Sequence, residues 1–181
     1  MGTLEDPGPV LMKKLVLFTL CAVLAAGCAG RPGTTPGGDV EDQRATLQQR
    51  PSIEEASARY DEMQRAVRER LSAEIGSLNW TPREPMSSAG CADFPNLGGE
   101  TRVLESWRSA GNLPDADWPR AVEIVAEVTA QYGFGAVEVV VDRAGDHEIT
   151  ATDQYGASYL FGTAKNTLLT VSTGCHLPQG G

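Results

Sequence analysis

The side chains of this 181-residue chain best suited to covalent or proton-transfer chemistry are four thiols, Cys21, Cys28, Cys91 and Cys175, and two imidazoles, His147 and His176. Cys28 stands apart by its setting. It closes the run Leu24-Ala25-Ala26-Gly27-Cys28, where small side chains let the backbone enter a peptidase groove and the thiol is the nucleophile that takes up a diacylglyceryl group before cleavage. Ahead of it, Met12-Lys13-Lys14 is a short positive flank, and residues 15–24 carry no charge or strong polar group. That is the length of a signal-peptide core, about half of the roughly 20 apolar residues a bilayer-spanning helix needs. Residues 1–27 therefore read as a signal peptide. Its natural start is Met12, because Glu5 and Asp6 do not suit a signal flank.

The run resembles the lipobox of bacterial lipoproteins, in which a branched apolar residue and two small residues precede the cysteine. Ala25 stands where leucine is commonest, and Cys21 is a poor rival because large Leu20 precedes it. The resemblance implies export and lipid attachment at Cys28, with the mature chain held on the outer, extracytoplasmic face of the cell membrane through the lipid. Export in turn places Cys91 and Cys175, the two thiols left over, in an oxidising compartment where an even pair reads as a disulfide. Closing so long a loop stabilises a fold by roughly 4 to 5 kcal/mol in the chain-entropy model. Two isolated cysteines lack the paired spacing zinc needs, and without a Cys-x-x-Cys pair the bond reads as structural.

Hydrolytic chemistry needs a nucleophile, a base and an orienting acid. Neither imidazole lies near a Gly-x-Ser-x-Gly elbow. His147, beside the turn Gly145-Asp146, is expected in solvent, and His176, just after Cys175, is expected on the surface at the domain's end. Asp115 with Asp117 and Asp142 with Asp146 suit loop and cap positions. No window fits a calcium loop, and Gly133-Phe134-Gly135 lacks the third glycine of a dinucleotide loop. No catalytic, metal or cofactor residue is assigned, and the chain reads as non-enzymatic. Trp107, Trp118, Tyr155 and Tyr159 are expected mainly in the core, with a pocket for an apolar or sugar ligand as the alternative. Removal of residues 1–27 leaves 13 basic and 22 acidic residues, a balance of −9, which does not suit nucleic acid or anionic lipid surfaces.

These residues need elements to hold them. Residues 28–50 are rich in Gly, Pro, Thr and charge and read as a flexible tether. The domain, residues 51–181, opens with a capping box at Ser52-Ile53-Glu54-Glu55 and an apolar stripe of Ile53, Ala56, Tyr60, Met63, Val67, Leu71 and Ile75 ending at Gly76. Short strands are expected over Leu78–Thr81 and Arg102–Trp107, and a second helix from Asp117-Trp118-Pro119 to Gly133. Four strands follow, Ala136–Asp142, His147–Asp153, Ala157–Thr163 and Thr167–Cys175, joined by short turns that force an antiparallel meander. Val137, Val139 and Val141 are expected to share one face. The fold class is α+β, an antiparallel β-meander sheet with two main helices packed on one face.

The order of features resembles the LppA-like lipoproteins of mycobacteria and related actinobacteria. The matching parts are the cysteine at 28, the helix end Leu71 to Gly76 followed by Trp80, Cys91, the helix end Ala130 to Gly133, Tyr159-x-Phe161, and Leu169 to Cys175. The resemblance implies an exported, lipid-anchored globular domain and supplies no catalytic or ligand residues. A binding or interaction role toward a protein or small molecule is the expected function. The alternatives are a carrier of an apolar cell-wall lipid, with a cavity between helices and sheet, and an envelope hydrolase with His147 or His176 bonded to a Ser or Thr hydroxyl.

Overall fold

The computed structural model describes residues 39–76 and 78–180; the signal segment, Cys28 and the first part of the expected tether lie outside them. Helix α2, Ile53–Glu74, starts as its sequence dictates: the Glu55 N–H donates to Ser52 Oγ and the Ser52 N–H donates back to the Glu55 carboxylate. Its stripe of Ile53, Ala56, Tyr60, Met63, Val67 and Leu71 is buried along the whole length. Gly76 stops it at φ +74°, a left-handed conformation that glycine adopts without steric cost. Helix α3, Trp118–Ala130, carries Pro119 in its first turn and buries Trp118, Ala121, Ile124, Val125 and Val128.

Eight antiparallel strands form one sheet: β1 Trp80–Glu84, β2 Ser87–Gly90, β3 Glu100–Val103, β4 Ser106–Ala110, β5 Glu138–Arg143, β6 Asp146–Thr152, β7 Ser158–Thr163 and β8 Asn166–Ser172. The order is β1-β4-β8-β7-β6-β5, with β3 also on β8 and β2 on β3. The β5–β8 meander and the layer of two long helices are as the sequence predicts. Alternate residues Ile149, Ala151, Tyr159, Phe161, Leu169 and Val171 turn toward the helices and fill the core with Tyr60, Met63 and Phe134. Full burial of each large aliphatic contributes about 1.5 to 3 kcal/mol. Trp118 stacks on Phe161 at 5.3 Å, and Phe134 meets Tyr60 edge-on at 5.5 Å.

The remaining expectations are corrected. The sheet is six strands across rather than four, because β1–β4 extend it past β8. The expected strand Arg102–Trp107 is cut at Leu104, which dives into the core while its N–H donates to the Val171 carbonyl. β3 and β4 thus lie one after the other along the same side of β8. Pro82 sits inside β1, an edge strand, where a lost N–H costs no ladder bond. β5 is the other edge. A bulge between Val139 and Val141 breaks its alternation, and Val139 is 68% exposed instead of sharing a face with the half-buried Val137 and Val141. The tether also ends early: residues 40–48 form helix α1, Val40–Gln48, whose Leu47 is buried against the Gly99 region. Composition could not reveal that partner, since it arrives from fifty residues away.

Gly174 follows β8 with its α-carbon against the Tyr155 carbonyl, and any Cβ there would press into that oxygen. Gly174→Ala should destabilise the fold by about 1 to 3 kcal/mol, lowering Tm by at least about 2 °C. Gly90→Ala, with open space around its α-carbon, should stay within about 0.5 kcal/mol. Thermal unfolding followed by circular dichroism checks both, and equal melting of the two variants contradicts the packing described.

Candidate functional site

The end of β8 is drawn onto the start of α2 by several independent links. Cys175 is disulfide-bonded to Cys91, with α-carbons 5.7 Å apart, as the even cysteine count suggests. Glu100 and His176 exchange backbone hydrogen bonds of 2.8 and 3.0 Å, and the Ile53 N–H donates to the Leu177 carbonyl at 2.8 Å. Gly99 has to be small here: a Cβ would lie 2.6 Å from Cys175 Sγ. Arg50, half-buried in the link between α1 and α2, donates from Nη1 to the Tyr155 carbonyl at 3.1 Å and the Cys175 carbonyl at 2.8 Å. Its guanidinium lies 5.0 Å from the Phe94 ring and 5.7 Å from the Tyr155 ring, close enough for cation–π attraction.

Tyr155, in the β6–β7 turn, separates two hollows. One, of about 570 Å³, is walled by Arg50, Phe94, Thr101 and the disulfide; the other, of about 320 Å³, by Glu55, Arg59, Tyr60, Tyr132 and Asp153. Gln154 and Tyr155 belong to both. Arg59 lies 5.5 Å over the Tyr132 ring. Asp153 holds the turn in shape: its Oδ1 accepts the Tyr155 and Ala157 N–H groups at 2.8 Å each, and its Oδ2 accepts the Tyr60 hydroxyl. Burial first, and the Asp153 carboxylate second, push the Tyr60 phenol far above its ordinary value, so it remains a hydrogen-bond donor rather than an ion.

Both histidines depart from expectation. His147 is buried, not solvent-exposed: it stacks on Trp118 at 5.1 Å, with Nδ1 2.9 Å from Asp142 and Nε2 3.1 Å from Asp115. The turn folds back over the start of α3, which sequence position alone does not reveal. The Asp115 carboxyl is held below its ordinary value by the Gly145 N–H and then by His147. His176 is fully buried instead of lying on the surface, because the links around Cys175 cover it. Its Nδ1 must carry the proton, since its partner at 2.8 Å is the Pro51 carbonyl, and Nε2 has no partner. Neither imidazole bonds to a Ser or Thr hydroxyl.

Of the four aromatic candidates, Trp118 and Tyr159 are core residues. Trp107 lies 3.4 Å under Arg68 in a separate groove with Asp61, Glu62, Arg65 and Glu105, where charges of both signs face each other. Only Tyr155 walls the hollows at the disulfide. Arg50, Arg59, Phe94 and Tyr132 join it there, and nothing in their spacing singles them out: Arg50 falls in the tether composition, Phe94 between the two short expected strands and Tyr132 at the end of the expected second helix.

Comparison with known proteins decides the family. A family model for LppA, described as a lipoprotein confined to pathogenic Mycobacterium, matches residues 29–179. The chain belongs to the LppA family. The crystal structure of the lipoprotein LppA from Mycobacterium tuberculosis is similar to this LppA-family domain at a TM-score of 0.64 with 18% identity, covering 77% of this chain and 86% of that one. A DUF4853 family protein from Actinomyces odontolyticus is similar at a TM-score of 0.58 with 22% identity, covering 75% of this chain and 73% of that one. Both likenesses support the α+β fold. No curated protein matches the chain. Among the described residues of this LppA-family member, no helix is long and apolar enough to cross a membrane.

Burial holds the His176 imidazole below the ordinary value of 6.5, partly opposed by the Pro51 carbonyl. The unfolded chain therefore takes up this proton first, so the contribution of His176 is complete above about pH 6.5 and declines as pH falls below it. His176→Gln should flatten the fall in Tm between about pH 6.5 and 5.5 relative to wild type. Parallel curves in that window would show that His176 does not couple the fold to pH.

Proposed function

We propose that this LppA-family chain is an exported binding protein, held at the outer face of the cell membrane by lipid on Cys28 and holding a ligand in the paired hollows around Tyr155. The observation that carries this reading is the state of the charged groups there. Among the described residues, Arg50 and Arg59 rest on aromatic rings without an ion-pair partner, Glu55 and Asp153 are engaged in local hydrogen bonds, and Asp93 also lines the larger hollow. Aromatic faces beside under-used polar groups are the usual make-up of a small-molecule site. The lipid-carrier alternative needs space between helices and sheet, and Tyr60, Met63, Phe134, Tyr159 and Phe161 occupy it. Hydrolase chemistry has no support in the partners of either histidine.

Mass spectrometry of membrane-extracted full-length protein from an actinobacterial host tests both parts. Under denaturing conditions the wild type should begin at Cys28 and carry added acyl mass, absent from Cys28→Ala. Under native conditions it should retain a non-covalent adduct, depleted in Arg59→Gln. An uncleaved, unmodified wild type contradicts the anchor, and an adduct-free wild type contradicts the binding role.

A further inference from the structure

The two borders of the sheet are built differently. At one border, β1 carries Pro82, which has no N–H to offer a further strand, beside the charged Arg83 and Glu84, and β2 is the short run Ser87-Ser88-Ala89-Gly90. Proline, charge and shortness are the means by which an edge is kept from pairing with other chains. β5, at the opposite border, reads Glu138-Val139-Val140-Val141-Asp142-Arg143, with no proline and no charge in its middle. Val139 and Val140 are 68% and 53% exposed. A β-branched apolar run on an open edge is a template for one more strand.

The occupant is indicated by the charges at the ends of β5 and by the bulge between them. Glu138 lies opposite Thr150 of β6 and Arg143 opposite Asp146, while Val140 is the extra residue with no partner in β6. Thr150 and Asp146 are four residues apart and so project to one face. Glu138 and Arg143 share that face, although five residues of regular strand would set them on opposite faces. The bulge makes the difference. A strand with an acid at one end, a base at the other and valines between is complementary to itself in antiparallel pairing. With a two-fold axis between Val140 and Val141, Glu138 of each copy faces Arg143 of the other, and Val140 faces Val141. Moving the axis onto Val140 would set Glu138 against Asp142, two like charges, so the register is specified. Both end groups are available: Glu138 is exposed and has no ion pair among the described residues, and Arg143 gives Nε and Nη2 to Asp146, keeps Nη1 and stays 74% exposed. Asp142, across from Val139, is held by His147 Nδ1. We propose that β5 is an interface at which two copies of this chain pair antiparallel, β5 on β5, about a two-fold axis between Val140 and Val141. Such an interface is isologous, and six residue pairs place it in the weak, transient class.

Sedimentation velocity of the full-length chain in density-matched detergent, from about 1 to 200 μM, reads the pairing by mass action. The wild type should pass from monomer to dimer across this range. Val140→Lys, a change at an exposed position, should stay monomeric throughout without lowering Tm. Glu138→Arg and Arg143→Glu should each weaken the dimer at least about tenfold, because the two-fold axis counts each reversed pair twice, and the chain carrying both exchanges should recover it. Should Arg143→Glu, which also loses Asp146, melt early, Glu138→Arg and Val140→Lys decide. A wild type that is monomeric at every concentration overturns the proposal. A dimer that Val140→Lys leaves intact overturns it too, since the contact then lies on another surface. A stable double exchange that pairs no better than either single one overturns the two-fold register. A monomeric wild type that carries a foreign chain in native mass spectra, lost in Val140→Lys, assigns the edge to a different protein and overturns self-pairing.

Discussion

The closure of the C-terminal end of β8 onto the N-terminal end of α2, centred on Cys175, is the constraint on which the rest of the site depends. Residues 91–99 contribute little to the core and could not hold their place by apolar burial alone. The disulfide fixes them, and by excluding conformations of the unfolded chain it stabilises the fold by a few kcal/mol. The backbone pair Glu100–His176, the Ile53–Leu177 bond and the Pro51–His176 bond then act on a segment already held in register. Arg50 extends the closure to the β6–β7 turn by gripping the carbonyls of both Tyr155 and Cys175. The two hollows have walls from five parts of the sequence, and only this closure brings all of them to one place.

The helix and sheet layers supply a rigid support and little else to the site. Their contact is apolar and aromatic-rich, and these ion pairs lie outside it: Arg70, Glu74, Arg120 and Glu127 lie on the exposed side of α2 and α3. Pairs of that kind contribute about 0 to 1 kcal/mol each, so the fold rests on burial and on the disulfide. Arg50 and Arg59, without carboxylate partners among the described residues, sit there at small cost to stability, since Arg50 donates to two carbonyls and exposed Arg59 keeps solvent beside the Tyr132 ring.

Legibility in the sequence followed the range of the interactions involved. Helix α2 was plain because its cap, its stripe and its stop at Gly76 are all local. The β5–β8 meander was plain because short turns leave no other pairing. The first four strands were poorly legible: Pro82 and the break at Leu104 follow from where β1, β3 and β4 sit against β8, which is a long-range fact. Val139 misled because a bulge, invisible in the pattern of residue types, turned it outward. Helix α1 hid in a composition typical of linkers because Leu47 finds its partners only after the disulfide loop has folded. The histidines failed for a similar reason, since burial of His147 and His176 is decided by segments that fold over them. The disulfide could be read from cysteine parity and export, whereas the arginine and aromatic residues at the hollows have no shared spacing to betray them.

Amide hydrogen exchange on the oxidised and reduced protein addresses the central claim most directly, because it reports whether the closure at Cys175 is what holds the site together. Reduction should strip protection from the amides of Ile53, Glu100, Tyr155, Ala157 and His176, whose bonds belong to the closure and its turn. Ile149 and Phe161, paired in the middle of the β6–β7 ladder, should keep theirs. Protection retained at the first group, or lost equally at both, would contradict a site built by local closure on an independently stable core.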